Sequence, residues 1–527
     1  MVHKSWNLPN LVTPSSSSSP SHSSLWGSVR LTYTVCAFLA MILHTAIRSM
    51  LGLVILSMVK QREDDTSQST LNGTAMQQMQ CGPRWLEDAE IESLQITGGD
   101  LPWTRNQELA FPGIFYYGYV ITLPLAGHLS DRFGSKLLFI ISLILQGITY
   151  LLLPVMAHHS FAAAATNLII TGMFAGCGNP SIYQLFVIWA HPSERTALLS
   201  FAYSGIVMGT IIIYPVASYL SQFGWEMPFY MLGCVVLLYG TACYWLIYDD
   251  LNKHPRLTIK EKAYLQPDSQ ITPQMSLQHL AIPWRSLLTS VPVYAFILTH
   301  IFHNYGYLLL SLVMPRFMRE AMQFSLAEVG LLSSAPYVGS LFSKLICILS
   351  CSYIERRVDR HLGCMRRLLY ATCMVLSIIF VGGIIMADCG QKIVVIMMYV
   401  LLGIVCDMGF SGGYWPTLLY FAPSFAGLLS GVANCLGHLS GFLAPYIVAA
   451  LVSSGLKTEW NTVLITLALF NGLAMIMFSF LSSTKLQDWD PRSISNNIKF
   501  QTATANATLS CLCFFQTRKI LSGRSQS

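Results

Sequence analysis

Long apolar stretches alternate with short polar connections along most of the chain. A membrane-spanning helix needs about 20 mainly apolar residues, and twelve stretches meet that requirement. We predict spans at residues 31–59, 110–130, 137–157, 162–190, 197–222, 227–248, 291–315, 326–353, 366–387, 392–416, 424–452 and 460–483. Two longer polar connections, 60–109 and 249–290, interrupt the series, and the second separates two groups of six spans.

Lysines and arginines in the short connections predict the orientation, because cytosolic connections carry an excess of both. With both termini in the cytosol, eight of these residues face inwards and four face outwards. The inward set is Arg132, Lys136, Arg195, Arg356, Arg357, Arg360, Arg366 and Arg367. The outward set is Arg316, Arg319, Lys392 and Lys457. The bias favours cytosolic termini.

This orientation divides the chain into five segments. We predict a disordered cytosolic tail, an N-terminal six-helix bundle, a cytosolic central loop, a C-terminal six-helix bundle and a cytosolic C-terminal tail, at residues 1–30, 31–248, 249–290, 291–483 and 484–527. The connection 60–109 then faces the lumen or the cell exterior. Its sequon Asn72-Gly73-Thr74 predicts glycosylation of Asn72 on that side.

Composition excludes several classes of protein. Hydrophobic residues make up 53% of the chain and charged residues 11%, against about 25% charged residues in soluble domains. The net charge of +6 comes without a basic cluster interleaved with aromatic residues, so we expect no nucleic-acid partner. Most of the 14 cysteines lie inside apolar stretches, and no paired CxxC motif predicts a metal site. Without an HExxH or GxSxG motif, we expect neither an enzyme nor a cofactor.

The run GHLSDRFGSK at 127–136 joins predicted spans 2 and 3. Gly127 and Gly134 allow a tight turn, and Asp131 suits the positive N-terminal end of the following helix. Arg132 and Lys136 hold the loop on the cytosolic side. The run resembles the signature loop of the major facilitator superfamily.

Further segments resemble the anion/cation symporter branch of that superfamily, which includes sialin, the vesicular glutamate transporters and the type I sodium–phosphate transporters. The resemblance is carried by YYGYVITLPLAGHLSDRFGSK at 116–136, HPSERTALLSFAYSG at 191–205 and APSFAGLLSGVAN at 422–434. It implies an all-α polytopic fold of 12 transmembrane helices in two six-helix bundles. It also implies secondary transport of a small organic or inorganic anion by alternating access, driven by protons, sodium or voltage.

Arg48 lies within predicted span 1. A charged side chain costs about 2.5–3.5 kcal/mol at the centre of a span, and a guanidinium binds a carboxylate or phosphate through two parallel hydrogen bonds. The resemblance implies that this arginine binds the anionic substrate, and that Tyr119 contacts it. A structural arginine buried against carbonyl groups, and a packed aromatic side chain, are the alternatives.

Several polar residues of spans 7 and 11 complete the predicted pocket. His303, with Asn304 and Tyr305 beside it, occupies the position in span 7 where some members of the family carry a basic residue, and His438 lies on the predicted pocket side of span 11. The alternative for each histidine is a hydrogen bond between helices. Lys344 and Asp407 fall at similar depth in spans 8 and 10, and we predict a pair with either a coupling or a structural role.

Span 4 departs from the family pattern. Thr171 and Ala175 stand where most members carry proton-accepting glutamates, and no acidic residue occurs from 137 to 193. Coupling through Asp407 or a histidine, and uptake driven by voltage, therefore stay open, as do plasma membrane and endomembrane locations. The alternative function is a non-transporting membrane protein that acts as a sensor or assembly partner.

Overall fold

The computed structural model describes residues 25–60, 99–265, 282–357, 362–388 and 390–493. The predicted glycosylation site Asn72 and the side chain of Asp131 lie outside this description. Spans 1–6, here the N-half, are Val29–Met58, Arg105–Phe133, Ser135–His159, Phe161–Trp189, Pro192–Leu220 and Met227–Leu246. Ser28 caps span 1 and Thr104 caps span 2 by accepting hydrogen bonds from the first-turn amides of Leu31 and Gln107.

Spans 7–12 form the C-half and are more often interrupted. Span 7 is Val291–Leu312 followed by Met314–Glu320, with a 48° bend between them. The others are Leu326–Leu332 with Ala335–Arg357, Leu362–Met386, Lys392–Met408 extended to Phe421, Ala426–Gly437 with Ser440–Leu451, and Lys457–Leu481. Within the described ranges, eleven helices are long and apolar enough to cross a membrane, or twelve with the bent pair as one span. The predicted all-α fold is confirmed.

Glycines hold spans 2 and 4 against each other. A Cβ atom on Gly118 would lie 1.9 Å from the carbonyl oxygen of Ile169, and one on Gly172 would lie 2.0 Å from the carbonyl oxygen of Phe115. One on Gly176 would lie 2.2 Å from the hydroxyl of Thr122. Small residues let helix backbones approach closely in membranes, so the sequence of these two spans determines their contact.

The two halves meet on the side where span 1 ends, which the orientation above makes the outer side. Tyr214 of span 5 donates a 2.6 Å hydrogen bond to the carbonyl of Ser311 in span 7. Ser218 donates one of 3.0 Å to the carbonyl of Leu326 in span 8. The outer ends of spans 5, 7 and 8 are thereby joined across the two halves.

Four charged residues at this outer side form what we call the outer network: Arg105, Glu108, Arg316 and Glu320. Arg105 Nη2 lies 2.8 Å from Glu320 Oε2, and Arg316 Nη2 lies 2.6 Å from Glu108 Oε1. Arg316 Nε also contacts Glu320 Oε1 at 2.5 Å. Because span 2 supplies Arg105 and Glu108 and span 7 supplies the other two, the outer network links the halves.

At the opposite, inner side, the first part of the central loop docks on the N-half. The Glu261 carboxylate accepts hydrogen bonds from the backbone amides of Val29 and Arg30, each at 3.2 Å, where the positive end of span 1 favours an anion. The fully buried Arg30 guanidinium forms salt bridges with Glu194 and Glu261. Tyr264 donates a 3.0 Å hydrogen bond to Glu194. Residues as far as 265 therefore belong structurally to the N-half.

The signature loop contacts the end of span 6. Gly134 has a φ of +91°, a left-handed value that favours glycine. The Lys136 amide donates a 2.8 Å hydrogen bond to Asp249 Oδ1, and its ammonium lies over the rings of Tyr244 and Tyr248 at 4.9 and 4.6 Å. Arg132 is exposed beside Phe133. The loop thus fixes the inner end of span 2 to the start of the central loop.

Candidate functional site

Arg48 of span 1 lies at the contact between the halves. Its electrostatic neighbours include Tyr116 and Tyr119 of span 2 and Tyr307 of span 7. The side chain is partly exposed, although most of span 1 around it is buried. Among the described residues, no carboxylate lies within the 4.0 Å limit of a salt bridge to its guanidinium. The structure therefore presents a central cation with tyrosines around it.

Aromatic rings from both halves enclose this position. His438 of span 11 lies 4.9 Å from the ring of Tyr119 and 6.0 Å from that of Tyr116, measured between ring centroids. The Tyr119 hydroxyl accepts a 2.8 Å hydrogen bond from Asn179 of span 4. The hydroxyl of Tyr116 is buried without a hydrogen-bond partner, and that of Tyr307 is buried beside the Arg48 guanidinium. Buried hydroxyls are normally paired, so that of Tyr116 is free to bind a ligand.

His438 is held by its own helix. Its Nδ1 lies 2.7 Å from the backbone carbonyl of Asn434, and a carbonyl only accepts, so Nδ1 carries the proton in this contact. Arg48 is one of its electrostatic neighbours. The structure thus brings together Arg48, Tyr119 and His438, three of the residues predicted for the pocket.

Span 7 divides its polar residues between two faces. His300 bonds to the Tyr414 hydroxyl at 2.8 Å and to Asn434 Oδ1 at 3.2 Å. His303 Nδ1 and Asn304 Nδ2 are buried without a partner. Tyr305 points elsewhere, because its hydroxyl lies 2.8 Å from Thr466 Oγ1 and its ring packs 4.2 Å from that of Phe470 in span 12.

Tyr305 is therefore a packing residue between spans 7 and 12, and Tyr307 takes the place beside Arg48. The helical period could have shown this. Residues three or four apart share a face, and residues two apart do not. Tyr307 follows His303 by four positions and His300 by seven, whereas Tyr305 follows His303 by two. Tyr116 precedes Tyr119 by three positions and so shares its face of span 2, although it was not among the predicted pocket residues.

Lys344 and Asp407 meet inside the C-half. Lys344 Nζ lies 2.6 Å from Asp407 Oδ1, and Ser411 donates a 3.3 Å hydrogen bond to Asp407 Oδ2. The Lys344 ammonium also lies 5.6 Å from the centre of the Phe410 ring. Here a cation and an anion neutralise each other, unlike at Arg48.

Comparison with known proteins places the chain in a family. The family model described as Major Facilitator Superfamily matches residues 33–445. Human sialin (Homo sapiens) is 28% identical over 396 residues, which cover 75% of this chain and 79% of sialin. Vesicular glutamate transporter 2 of Homo sapiens is 27% identical, covering 73% of this chain and 66% of that protein. A putative inorganic phosphate cotransporter of Drosophila melanogaster is 26% identical over 86% of this chain and 82% of its own length.

Solved structures show the same fold at low sequence identity. A D-xylose-proton symporter superposes with a TM-score of 0.62 and 13% identity, covering 87% of this chain and 99% of that one. A bacterial homologue of the human lysosomal transporter Spinster, in an inward-facing conformation, gives 0.60 and 12%, covering 88% and 99%. Both establish the fold alone.

Proposed function

Since the chain belongs to the Major Facilitator Superfamily, we propose that it is a secondary transporter of small organic or inorganic anions of the carboxylate or phosphate class, with Arg48 as the anion-binding residue. Two of the relatives above are named for glutamate and for inorganic phosphate, both anions. The chain is a multi-pass membrane protein, and its fold supports transport by alternating access of a central site.

Arg48 carries this proposal. An arginine inside a span is costly unless it has a partner or water, and no described carboxylate pairs with it. A bound anion would supply the missing partner through two parallel hydrogen bonds to the guanidinium. The buried hydroxyls of Tyr116 and Tyr307 would donate further hydrogen bonds to the same anion.

The contacts between the halves fit one stage of alternating access. The outer network and the bonds of Tyr214 and Ser218 close the outer side. Arg48 and its tyrosines lie deeper than these contacts along spans 1, 2 and 7. For the anion to reach Arg48 from the outer side, the outer network must separate, and rocking of one half against the other would do this.

Uptake into proteoliposomes tests the proposal. Purified protein is reconstituted, and uptake of radiolabelled glutamate, sialic acid, phosphate and urate is measured with a proton gradient and a voltage imposed separately. We expect uptake of at least one anion by the wild type. Arg48→Ala should reduce it at least a hundredfold, because the loss of a doubly hydrogen-bonded charge pair costs about 3 kcal/mol or more.

Arg285→Gln is the matched control, because it removes an exposed positive charge before span 7 and should leave uptake unchanged. Arg48→Lys keeps the charge but loses the planar pair of donors, so its uptake should be intermediate. Equal uptake by wild type and Arg48→Ala would contradict the assignment of the binding residue. Folded wild-type protein that transports none of these anions would favour the non-transporting alternative.

A further inference from the structure

We propose that Lys344, Asp407 and His303 form a proton-binding site in the C-half, and that a proton bound there is transported together with the anion. This inference rests on the proposed function, because it concerns the driving ion of the same transport cycle. The argument comes from the position of Asp407, the groups around it, and the local form of span 10.

Asp407 is unusual among the described carboxylates. Glu108 and Glu320 lie at the outer ends of their helices, and Glu194 lies at the inner start of span 5. Asp407 instead lies near the middle of the apolar segment Lys392–Phe421. An ionisable side chain in the interior of a span is a functional-site candidate, since it is retained at a cost.

The pair is not completely covered by protein. The Lys344 side chain is 23% exposed and that of Asp407 12% exposed, so the proposed proton site needs no unpacking of the helices to gain or lose a proton. The carboxylate of Asp407 has two polar contacts with neighbouring side chains, one with Lys344 Nζ and one with Ser411 Oγ. Protonation would remove its attraction for the ammonium, and Ser411 would remain as a hydrogen-bond partner.

His303 and Lys344 both contact the ring of Phe410. The His303 ring stacks on that of Phe410 at 5.8 Å, while the Lys344 ammonium lies 5.6 Å from the same ring. His303 Nδ1 is buried without a partner, which leaves a nitrogen free to accept a proton or a water molecule. His303 and Lys344 thus share one aromatic neighbour, and they lie within electrostatic range of each other.

The remaining titratable groups near Asp407 do not compete for this role. Cys406 and Tyr414 face it from span 10. Cys373 and Tyr370 of span 9 lie next to those two. None of these is a second carboxylate, and a thiol or phenol stays neutral near pH 7 unless it is activated. Net charge at the site therefore changes from zero to plus one when Asp407 binds a proton.

This change of charge couples the proton to the anion. With Asp407 ionised, Lys344 is neutralised and adds little to the positive field around Arg48. With Asp407 protonated, Lys344 becomes an uncompensated cation inside the C-half, and the added positive potential favours binding of a carboxylate or phosphate between the halves. Because linkage is reciprocal, a bound anion also raises the affinity for the proton. The two are therefore transported in the same direction.

Span 10 has a backbone suited to such a change. Immediately after Asp407, residues Gly409–Tyr414 form a π-helical turn that contains three glycines, and a short 3₁₀ turn follows. Turns of this kind are frequent at functional sites. The Gly412 carbonyl accepts a 3.0 Å hydrogen bond from Arg366 of span 9. A small rotation of this turn would move Ser411, which belongs to it, relative to the Asp407 carboxylate.

The experiment compares accumulation with exchange in proteoliposomes, with radiolabelled glutamate and phosphate as probes. An inward proton gradient drives accumulation, whereas exchange of internal for external anion needs no net proton movement. We expect Asp407→Asn to lower gradient-driven accumulation at least tenfold and to retain exchange. Arg48→Ala should lose both activities, so failure of the binding site and failure of the proton site are distinguishable.

Glu328→Gln is the matched control. Glu328 pairs with Lys392 at 3.2 Å between the same two spans, 8 and 10, but at their outer ends. This variant should accumulate anion like the wild type. The double variant Lys344→Met/Asp407→Asn leaves no unpaired charge, so it guards against misfolding of Asp407→Asn alone. It should also exchange anion without accumulating it.

Two results would overturn the proposal: accumulation by Asp407→Asn at the wild-type level, or wild-type accumulation driven by voltage and unaffected by the proton gradient. If neither glutamate nor phosphate is transported, tryptophan fluorescence tests whether Asp407 binds a proton. The Trp415 ring lies 5.2 Å from that of Phe410, so protonation of Asp407 should change its emission as the pH is lowered. A transition that survives in Asp407→Asn and is absent from Trp415→Phe would exclude the aspartate.

Discussion

The two halves hold their central charges in opposite ways. In the N-half, Arg48 has tyrosine neighbours and no described carboxylate within salt-bridge range. In the C-half, Lys344 is paired with Asp407 at 2.6 Å. A lone cation needs a ligand, and a neutral pair needs a proton to become charged. Under the proposed function, this difference gives anion binding to one half and charge regulation to the other.

The two halves also differ in the regularity of their spans. Spans 2 and 4 of the N-half approach backbone to backbone at Gly172, and spans 8 and 10 of the C-half approach as closely, since a Cβ atom on Gly403 would lie 2.1 Å from the carbonyl oxygen of Pro336. Spans 7, 8, 10 and 11 of the C-half are nevertheless bent or interrupted, whereas each span of the N-half is one continuous helix. Irregular backbone therefore follows Asp407, and regular helix surrounds Arg48.

Loss of each central cation should affect stability very differently. Lys344→Met leaves Asp407 without its partner, and breaking a buried pair costs about 3–5 kcal/mol. Arg48→Met removes a charge that has no described carboxylate partner and should cost far less, or stabilise the protein. Thermal unfolding of the purified variants in detergent would show the two shifts.

The double variant Lys344→Met/Asp407→Asn should recover part of the loss, since neither charge is left alone. A cost for Arg48→Met as large as that for Lys344→Met would break the comparison. It would mean that Arg48 also has a structural partner.

Added methyl groups test the close contact between spans 2 and 4. Gly172→Ala would bring a Cβ atom within 2.0 Å of the Phe115 carbonyl oxygen, and overpacking of this kind costs about 1–3 kcal/mol. Gly382→Ala in span 9 meets nothing within 4 Å, so the higher helix propensity of alanine should stabilise it slightly. Unfolding temperatures measure both. Equal tolerance at the two positions would contradict the tight contact of spans 2 and 4.

Loss of one acid from the outer network should favour separation of the halves. Glu320→Gln removes the charge that contacts Arg105 and Arg316. The loss of charge-assisted bonds worth about 1.5 kcal/mol changes the ratio of closed to open molecules about tenfold. Distances between spin labels at the exposed positions 106 and 458, in a background without reactive cysteines, report the outer opening.

Glu459→Gln is the control for that change. Glu459 lies at the same side, but it accepts hydrogen bonds from Ser453 and the amides of Ser454 and Gly455, all within the C-half. Its loss should leave the label distances unchanged. If both variants open the outer side equally, the outer network is not specific to the contact between the halves.

The smallest predicted effect concerns pH at the inner side of the N-half. His254 packs against the rings of Tyr33, Trp189 and Tyr248. Burial, aided by the charge of Arg256, lowers the pKa of the His254 imidazole below its usual value of 6.5. Docking of the first part of the central loop on the N-half therefore favours the neutral form of His254. The contribution of His254 to the stability of this docking is complete above about pH 6.5 and declines below it.

Limited proteolysis after Lys253 should accordingly be faster at pH 5.5 than at pH 7.5. Cleavage of an unstructured peptide, measured at both pH values, corrects for the pH dependence of the protease itself. His254→Phe keeps the ring and removes the titration, so its cleavage should not depend on pH in this way. Persistence of the pH dependence in His254→Phe would assign it to another group.

Much of the fold was predictable because the bilayer imposes it. Spans must be long and apolar, so the apolar pattern alone located all twelve. The pairing of Lys344 with Asp407 was also predictable, because the two residues fall at similar depth in spans 8 and 10. The outer network was not predicted, because Arg316 was counted only as a charge in a short connection. Its partner Glu108 lies in the other half, and no local pattern connects the two.

The surroundings of Arg48 were predicted only in part. Tyr119 and His438 are its neighbours, whereas Tyr305 faces span 12. The π-helical turn after Asp407 was also missed, because glycines in an apolar run indicate close packing as readily as an altered hydrogen-bond ladder. Such features depend on contacts between spans, which a single sequence does not specify.

Span 2 connects three parts of the molecule. Glu108 at its outer end belongs to the outer network, Tyr119 near its middle belongs to the proposed anion site, and Arg132 at its inner end belongs to the signature loop. The close backbone contacts at Gly118 and Gly172 restrict movement of span 2 relative to span 4. Under the proposed function, a displacement of span 2 on anion binding would therefore be transmitted to both faces of the membrane, which would couple release on one side to admission on the other.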